Sequence, residues 1–79
     1  MYRALVLALL LISAPAAAFG KKEVRDLIER EYPGAKVTEV ERERFQGRKI
    51  WEVDFKHKGK AWEAIISLDG EIVKVHIDD

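Results

Sequence analysis

A nucleophile and a base within hydrogen-bond reach are the minimum for hydrolytic chemistry, and this chain offers few candidates. Its serines are Ser13 and Ser67, its threonine is Thr38, and its histidines are His57 and His76. Cysteine is absent, which excludes thiol nucleophiles, disulfides, cysteine-ligated zinc and lipid attachment through an N-terminal Cys. Glycines stand singly, so no phosphate-cradling loop is present. Carboxylates are the plentiful reactive groups. Asp54, Glu63 and His76 are the residues whose chemistry could hold a proton or weakly hold a divalent ion, with Glu39 as a further candidate. A single His with flexible surface acids is also what a solvated charged face looks like, offset by Lys56 and Lys74.

Those side chains need elements to position them. Val24, Leu27 and Ile28 recur at helical spacing within Lys21–Glu31, and Tyr32 extends the stripe. Pro33-Gly34 ends that helix. The remainder alternates with period two. Trp51, Val53 and Phe55, then Trp62, Ala64 and Ile66, then Val73, Val75 and Ile77 share one face each. A Lys58-Gly59 turn pairs Phe55 with Trp62, Val53 with Ala64 and Trp51 with Ile66. An Asp69-Gly70 turn pairs Leu68 with Glu71, Ile66 with Val73, Ala64 with Val75 and Trp62 with Ile77. Both registers put the apolar residues on one face, and a one-residue slip in either would break that agreement. The first strand, near Ala35 to Arg44, is open: a Gln46-Gly47 turn puts Val40 and Thr38 inward, while a bulge brings both Val37 and Val40 inward. The expected fold is α+β, one N-terminal helix packed on one face of a four-stranded antiparallel meander. Its expected core is Trp51, Val53, Phe55, Trp62, Ala64, Ile66, Val73 and Val75 beneath Val24, Leu27 and Ile28.

With 79 residues, the chain is too short for two ordinary domains. Fourteen basic residues balance 14 acidic ones, so no overall basic field draws it to nucleic acid. Residues 1–18 read as an address. Arg3 precedes the apolar run Ala4–Ile12, Pro15 breaks it, and Ala16-Ala17-Ala18 forms an A-x-A site. A membrane-spanning helix needs roughly 20 apolar residues. The expectation is a signal peptide cleaved after Ala18, a domain over residues 19–79, and a periplasmic or secreted location with no stable membrane anchor.

The helix, then Tyr32-Pro33-Gly34-Ala35-Lys36-Val37, Trp51-Glu52-Val53-Asp54-Phe55, Lys58-Gly59-Lys60 and Leu68-Asp69-Gly70-Glu71-Ile72 follow in an order that resembles the PepSY and PepSY-like family. These are small bacterial extracytoplasmic domains, found alone and in the propeptides of secreted metalloproteases, some similar to the repeat of a beta-lactamase inhibitor protein. The resemblance implies binding or inhibition of another protein and carries no catalytic residue onto this chain. Many members place an acid three positions before the hairpin glycine, where this chain has Ser67.

One helix covers one side of a sheet, so the opposite side is open to a partner. The two registers place Ile50, Ser67 and Ile72 in one row there, Ile65 beside Glu52 and Lys74 in the next, and Asp54, Glu63 and His76 beyond. The expected partner-binding residues are therefore Ile50, Ile65 and Ile72 with a rim of Glu52, Asp54, Glu63 and His76. The expected partner is an extracytoplasmic protein, a peptidase or another enzyme. No cofactor, no dedicated metal site and no catalytic residues are expected. The alternative function is a weak divalent-ion- or pH-responsive protein using the Asp/Glu/His row. Arg42, Arg44, Arg48 and Lys49 cluster about Gln46-Gly47 and can meet an acidic partner or anionic lipid. Glu39, Glu41 and Glu43 interleave with them, so the cluster is read here as a solvated hairpin tip.

Overall fold

The computed structural model describes residues 19–78; residues 1–18, for which a signal peptide is expected, lie outside them. Helix α1 spans Lys21–Glu31, and strands β1 (Lys36–Phe45), β2 (Arg48–His57), β3 (Lys60–Ser67) and β4 (Ile72–Ile77) follow. They form one antiparallel sheet in the order β1-β2-β3-β4. The helix begins where Glu23 reaches back to accept the Gly20 N–H at 2.9 Å. It ends where Pro33 enforces a turn closed by Ala35 N–H donating to the Tyr32 carbonyl at 2.9 Å.

Val24, Leu27 and Ile28 are buried, and α1 packs chiefly on β1. Beneath them lie Trp51, Val53, Phe55, Ala64 and Ile66, all buried as expected. Trp62 and Val75 are half-buried at the margin of that core, and Tyr32 stacks on Phe55 with ring centres 5.2 Å apart.

The β2–β3 register is the one that Lys58-Gly59 predicts, row for row. Lys58 and Gly59 both adopt positive φ, as do Gln46 and Gly47, which matches the two-residue turns whose twist suits a hairpin. On β1 the bulge is present between Val37 and Glu39, and both Val37 and Val40 are buried. Thr38 is the extra residue; it is exposed, and its hydroxyl donates to the Asp54 carbonyl at 3.1 Å.

The Asp69-Gly70 turn is corrected. It is a three-residue loop, Leu68 to Gly70, in which Gly70 N–H donates to Ser67 O at 3.0 Å and Ser67 N–H to Glu71 O at 2.8 Å. Side chains select it. The Ser67 hydroxyl donates to Asp69 and accepts the Glu71 N–H at 2.9 Å. Gly70 has φ +94°, and any Cβ there would lie 2.8 Å from the Phe19 ring. The longer loop shifts the register by one, so Ile66 faces Ile72 rather than Val73. A second irregularity then restores it, and Ala64 faces Val75 and Trp62 faces Ile77 as expected. Val73 is left half-exposed, at 51%, outside the core it was expected to join, while Ile72 packs against that core.

Candidate functional site

The face of the sheet away from α1 follows from the pairings. One row is Glu43–Ile50–Ser67, the next Glu41–Glu52–Ile65–Lys74, and the third Glu39–Asp54–Glu63–His76. Every expected rim residue, Glu52, Asp54, Glu63 and His76, stands on this face, and Glu39 joins the third row. Ile72 does not; the three-residue loop turns it to the core side, which removes it from the expected partner-binding set.

Ile50 and Ile65 stand on the open face but are only 5% exposed. Lys74 explains this. Its ammonium lies 6.0 Å from the centre of the Phe45 ring. The two residues sit on the outer strands, three spacings of about 4.8 Å apart. To meet, they must reach across β2 and β3, over Ile50 and Ile65. Phe45 is itself half-buried. The isoleucines thus form a small second apolar layer, and the surface above it is charged. Strand alternation revealed which face they occupy; the Phe45–Lys74 bridge had no signal in spacing alone.

The charge pattern is dominated by carboxylates. Oxygens of Glu52, Asp54 and Glu63 lie within 4.8 Å of one another, as do those of Glu41, Glu43 and Glu52. His76 Nε2 is 3.1 Å from Glu63 Oε1. Asp54 Oδ1 is buried and has no hydrogen-bond partner among the described residues, and the same is true of His76 Nδ1. Burial raises the Glu52 carboxyl to about 7, with Glu63, Asp54 and Glu43 adding to the effect. Burial likewise raises Asp54, next to Glu63 and Asp78. Glu39 is raised chiefly by the charge of Glu41. Such a surface can share protons among its carboxyls, accept a cation, or meet cationic side chains.

This has a consequence for stability. A carboxyl whose folded value lies above its unfolded value of 4.5 holds its proton more tightly in the native state. The stability it lends is present at low pH and is lost as pH rises from about 4.5 to about 7. The melting temperature should therefore fall between pH 5 and pH 8. The loss should be on the order of 1–2 kcal/mol once solvent screening of a partly exposed group is allowed for. Glu52→Gln should flatten the profile; an unchanged slope in that variant would show that Glu52 is not the responsible group.

Ser67 and His76 do not form a nucleophile–base pair. Ser67 faces Ile50 and serves the turn, while His76 faces Glu63 one strand away. His57 is occupied at the other end of the sheet, its Nε2 3.1 Å from the Pro33 carbonyl.

A helix laid on one side of a four-stranded antiparallel meander, with a carboxylate grid on the other, makes this a small α+β domain. Residues 20–76 match the family model described as "PepSY: Peptidase propeptide and YPEB domain", and the chain belongs to that family. Domains of this family are propeptide- or inhibitor-like modules, typically extracytoplasmic. No curated protein and no solved structure was found to match the chain. Among the described residues, no helix is long and apolar enough to cross a membrane. At the position where the resemblance expects an acid, Ser67 supplies a hydroxyl that both donates and accepts within its turn.

Proposed function

We propose that the chain is an exported, non-enzymatic module that binds, and in doing so inhibits, another extracytoplasmic protein through the open face of its sheet. The observation that carries this is the grid of Glu39, Glu41, Glu43, Glu52, Asp54 and Glu63 on the side the helix leaves free. The family's association with peptidases supports a peptidase as the partner class. Because Ile50 and Ile65 lie under Phe45 and Lys74, the recognising groups are the charges, and the complementary surface is cationic. The export reading of residues 1–18 belongs to this proposal.

The experiment is capture from periplasmic extract with the wild type and with Glu41→Lys/Glu63→Lys, both checked for folding by circular dichroism. The charge-reversed protein should retain less than a tenth of the captured partner, and wild-type capture should weaken with salt. Equal capture by the two proteins would exclude the open face.

A second reading, an ion- or pH-responsive protein, is favoured by one observation: the raised Glu52 carboxyl sits among Asp54 and Glu63. Melting with calcium or magnesium against chelator separates the two readings, since an ion bound by the native state raises the melting temperature by mass action.

A further inference from the structure

Along β1 the run Glu39-Val40-Glu41-Arg42-Glu43-Arg44 alternates carboxylates with other side chains. In a strand that period sorts them by face. Glu39, Glu41 and Glu43 pair with Asp54, Glu52 and Ile50 on the open face, whereas Arg42 pairs with Trp51 and Arg44 with Lys49 on the helix-bearing face. Arg42 confirms the side: its guanidinium lies 5.0 Å from the centre of the ring of Trp51, a member of the core cluster. The interleaved glutamates therefore do not neutralise the arginines as the sequence suggests; the sheet stands between them.

Arg42, Arg44 and Lys49, with Glu43, line a concave surface of about 550 Å³. The register places the Glu43 carboxylate on the other face. None of the three cations forms an ion pair among the described residues. Arg44 makes only a long hydrogen bond, 3.4 Å, to the Gly47 carbonyl. Three cations about one concavity, none of them in an ion pair among the described residues, suit an oxyanion. A carboxylate offers two oxygens in one plane. A phosphodiester offers two non-bridging oxygens out of any one plane with its ester groups, and a surface of such headgroups presents several, so two guanidiniums and an ammonium can each take one.

The path of the chain indicates where that phosphate comes from. β1 and β3 run the same way, so the Gln46-Gly47 turn and the Leu68–Gly70 turn lie at one end of the sheet. Phe19 packs on Gly70 at that same end. Residues 1–18, with the apolar run Ala4–Ile12, precede Phe19 and so join the domain at the end of the sheet that carries the cationic hairpin. Leu68 in the adjoining turn is 38% exposed. We infer that this hairpin face binds the phosphate of an anionic phospholipid headgroup and sets the domain, turn end first, against the membrane surface. The contact is peripheral. After cleavage behind Ala18 it rests on the cations, and the new α-ammonium at Phe19 adds to the same end. The open carboxylate face then stands at right angles to the membrane, free for a protein partner.

The test is co-sedimentation of the protein, as it accumulates in the producing cells, with vesicles containing phosphatidylglycerol or with pure phosphatidylcholine vesicles. Binding to the anionic vesicles should be the stronger and should weaken from 50 to 200 mM salt. Arg42→Gln/Arg44→Gln/Lys49→Gln should lose roughly a hundredfold in affinity, since each cation near an anionic surface contributes about fivefold. Circular dichroism checks that this variant folds. Lys49→Gln alone, at an exposed position, should lose about fivefold and guards against a folding defect in the triple variant. Equal binding to both vesicle types, or unaltered binding by the variants, overturns the inference. Nuclear magnetic resonance titration with inorganic phosphate is the second arm. Saturable shifts at Arg44 and Lys49 without preference for anionic vesicles would assign the site to a soluble phosphate and overturn the membrane source. Tighter binding of polyglutamate than of anionic vesicles would overturn the phosphate class.

Discussion

Ile65→Asp is expected to unfold the domain at neutral pH. Its sheet position is on the side away from the helix, where a charged substitution would ordinarily be tolerated. Yet Ile65 is 5% exposed, closed in with Ile50 under the Phe45–Lys74 contact. Removing the buried aliphatic group costs about 2–5 kcal/mol. Burying a carboxylate there adds a desolvation cost, and Glu52 directly opposite already resists a neighbouring negative charge. A domain of this size has roughly 3–9 kcal/mol in all. Urea denaturation of Ile65→Asp beside Ile65→Val measures it: the Val variant should stay folded with a loss of about 1 kcal/mol. A cooperative urea transition for Ile65→Asp with a midpoint close to the parent's would mean that the face is not closed. The same result would return Ile50 and Ile65 to the list of surface anchors.

Phe55→Ala should remove most of the remaining stability by a different route. Phe55 is 1% exposed and lies between Trp62 on β3 and Val37 on β1, with Tyr32 stacked on its ring. Loss of a buried phenyl group costs about 3–5 kcal/mol, because the cavity collapses only in part. Trp62→Ala makes the informative comparison. Trp62 is half-buried and anchored through its Nε1 donating to the His57 carbonyl at 3.4 Å, so its truncation should cost less. Thermal melts of the two variants give the ordering, and a Trp62→Ala protein less stable than Phe55→Ala would show that the core is centred one strand further along the sheet.

How much of this was legible in the sequence depends on how many residues vote on each feature. Helix α1 was legible in full, because Val24, Leu27 and Ile28 state the period and Pro33 states the end. The β2–β3 register was legible because three apolar pairs and one turn agree. The β3–β4 turn was not. Asp69-Gly70 favours a two-residue loop, but the hydroxyl of Ser67 reaches both Asp69 and the Glu71 N–H and selects a longer one. That competition between side chain and backbone is invisible to alternation, and it moved Ile72 inward and Val73 outward. The Asp54–Glu63–His76 row was legible because it lies beyond the compensating irregularity. The cover over Ile50 and Ile65 was not, because alternation assigns a face and is silent about what folds over it. The separation of Arg42 and Arg44 from Glu41 and Glu43 was written in their parity, though summing their charges concealed it.

The two irregularities of the sheet fall on its two outer strands, at Thr38 in β1 and at Val73 in β4, while the β2–β3 ladder between them is unbroken. An outer strand that ran straight would present a regular row of unpaired amides and carbonyls, a template on which another chain could crystallise into a growing fibril. Here each free border is kinked at one residue, and Lys36 on one side and Lys74 on the other place a charge close to the kink. A protein with equal numbers of acidic and basic residues has little overall repulsion to keep its copies apart. The two broken borders are then the feature that opposes strand-to-strand association, and straightening either one, by deleting Thr38 or Val73, should turn a self-limiting sheet into an adhesive one.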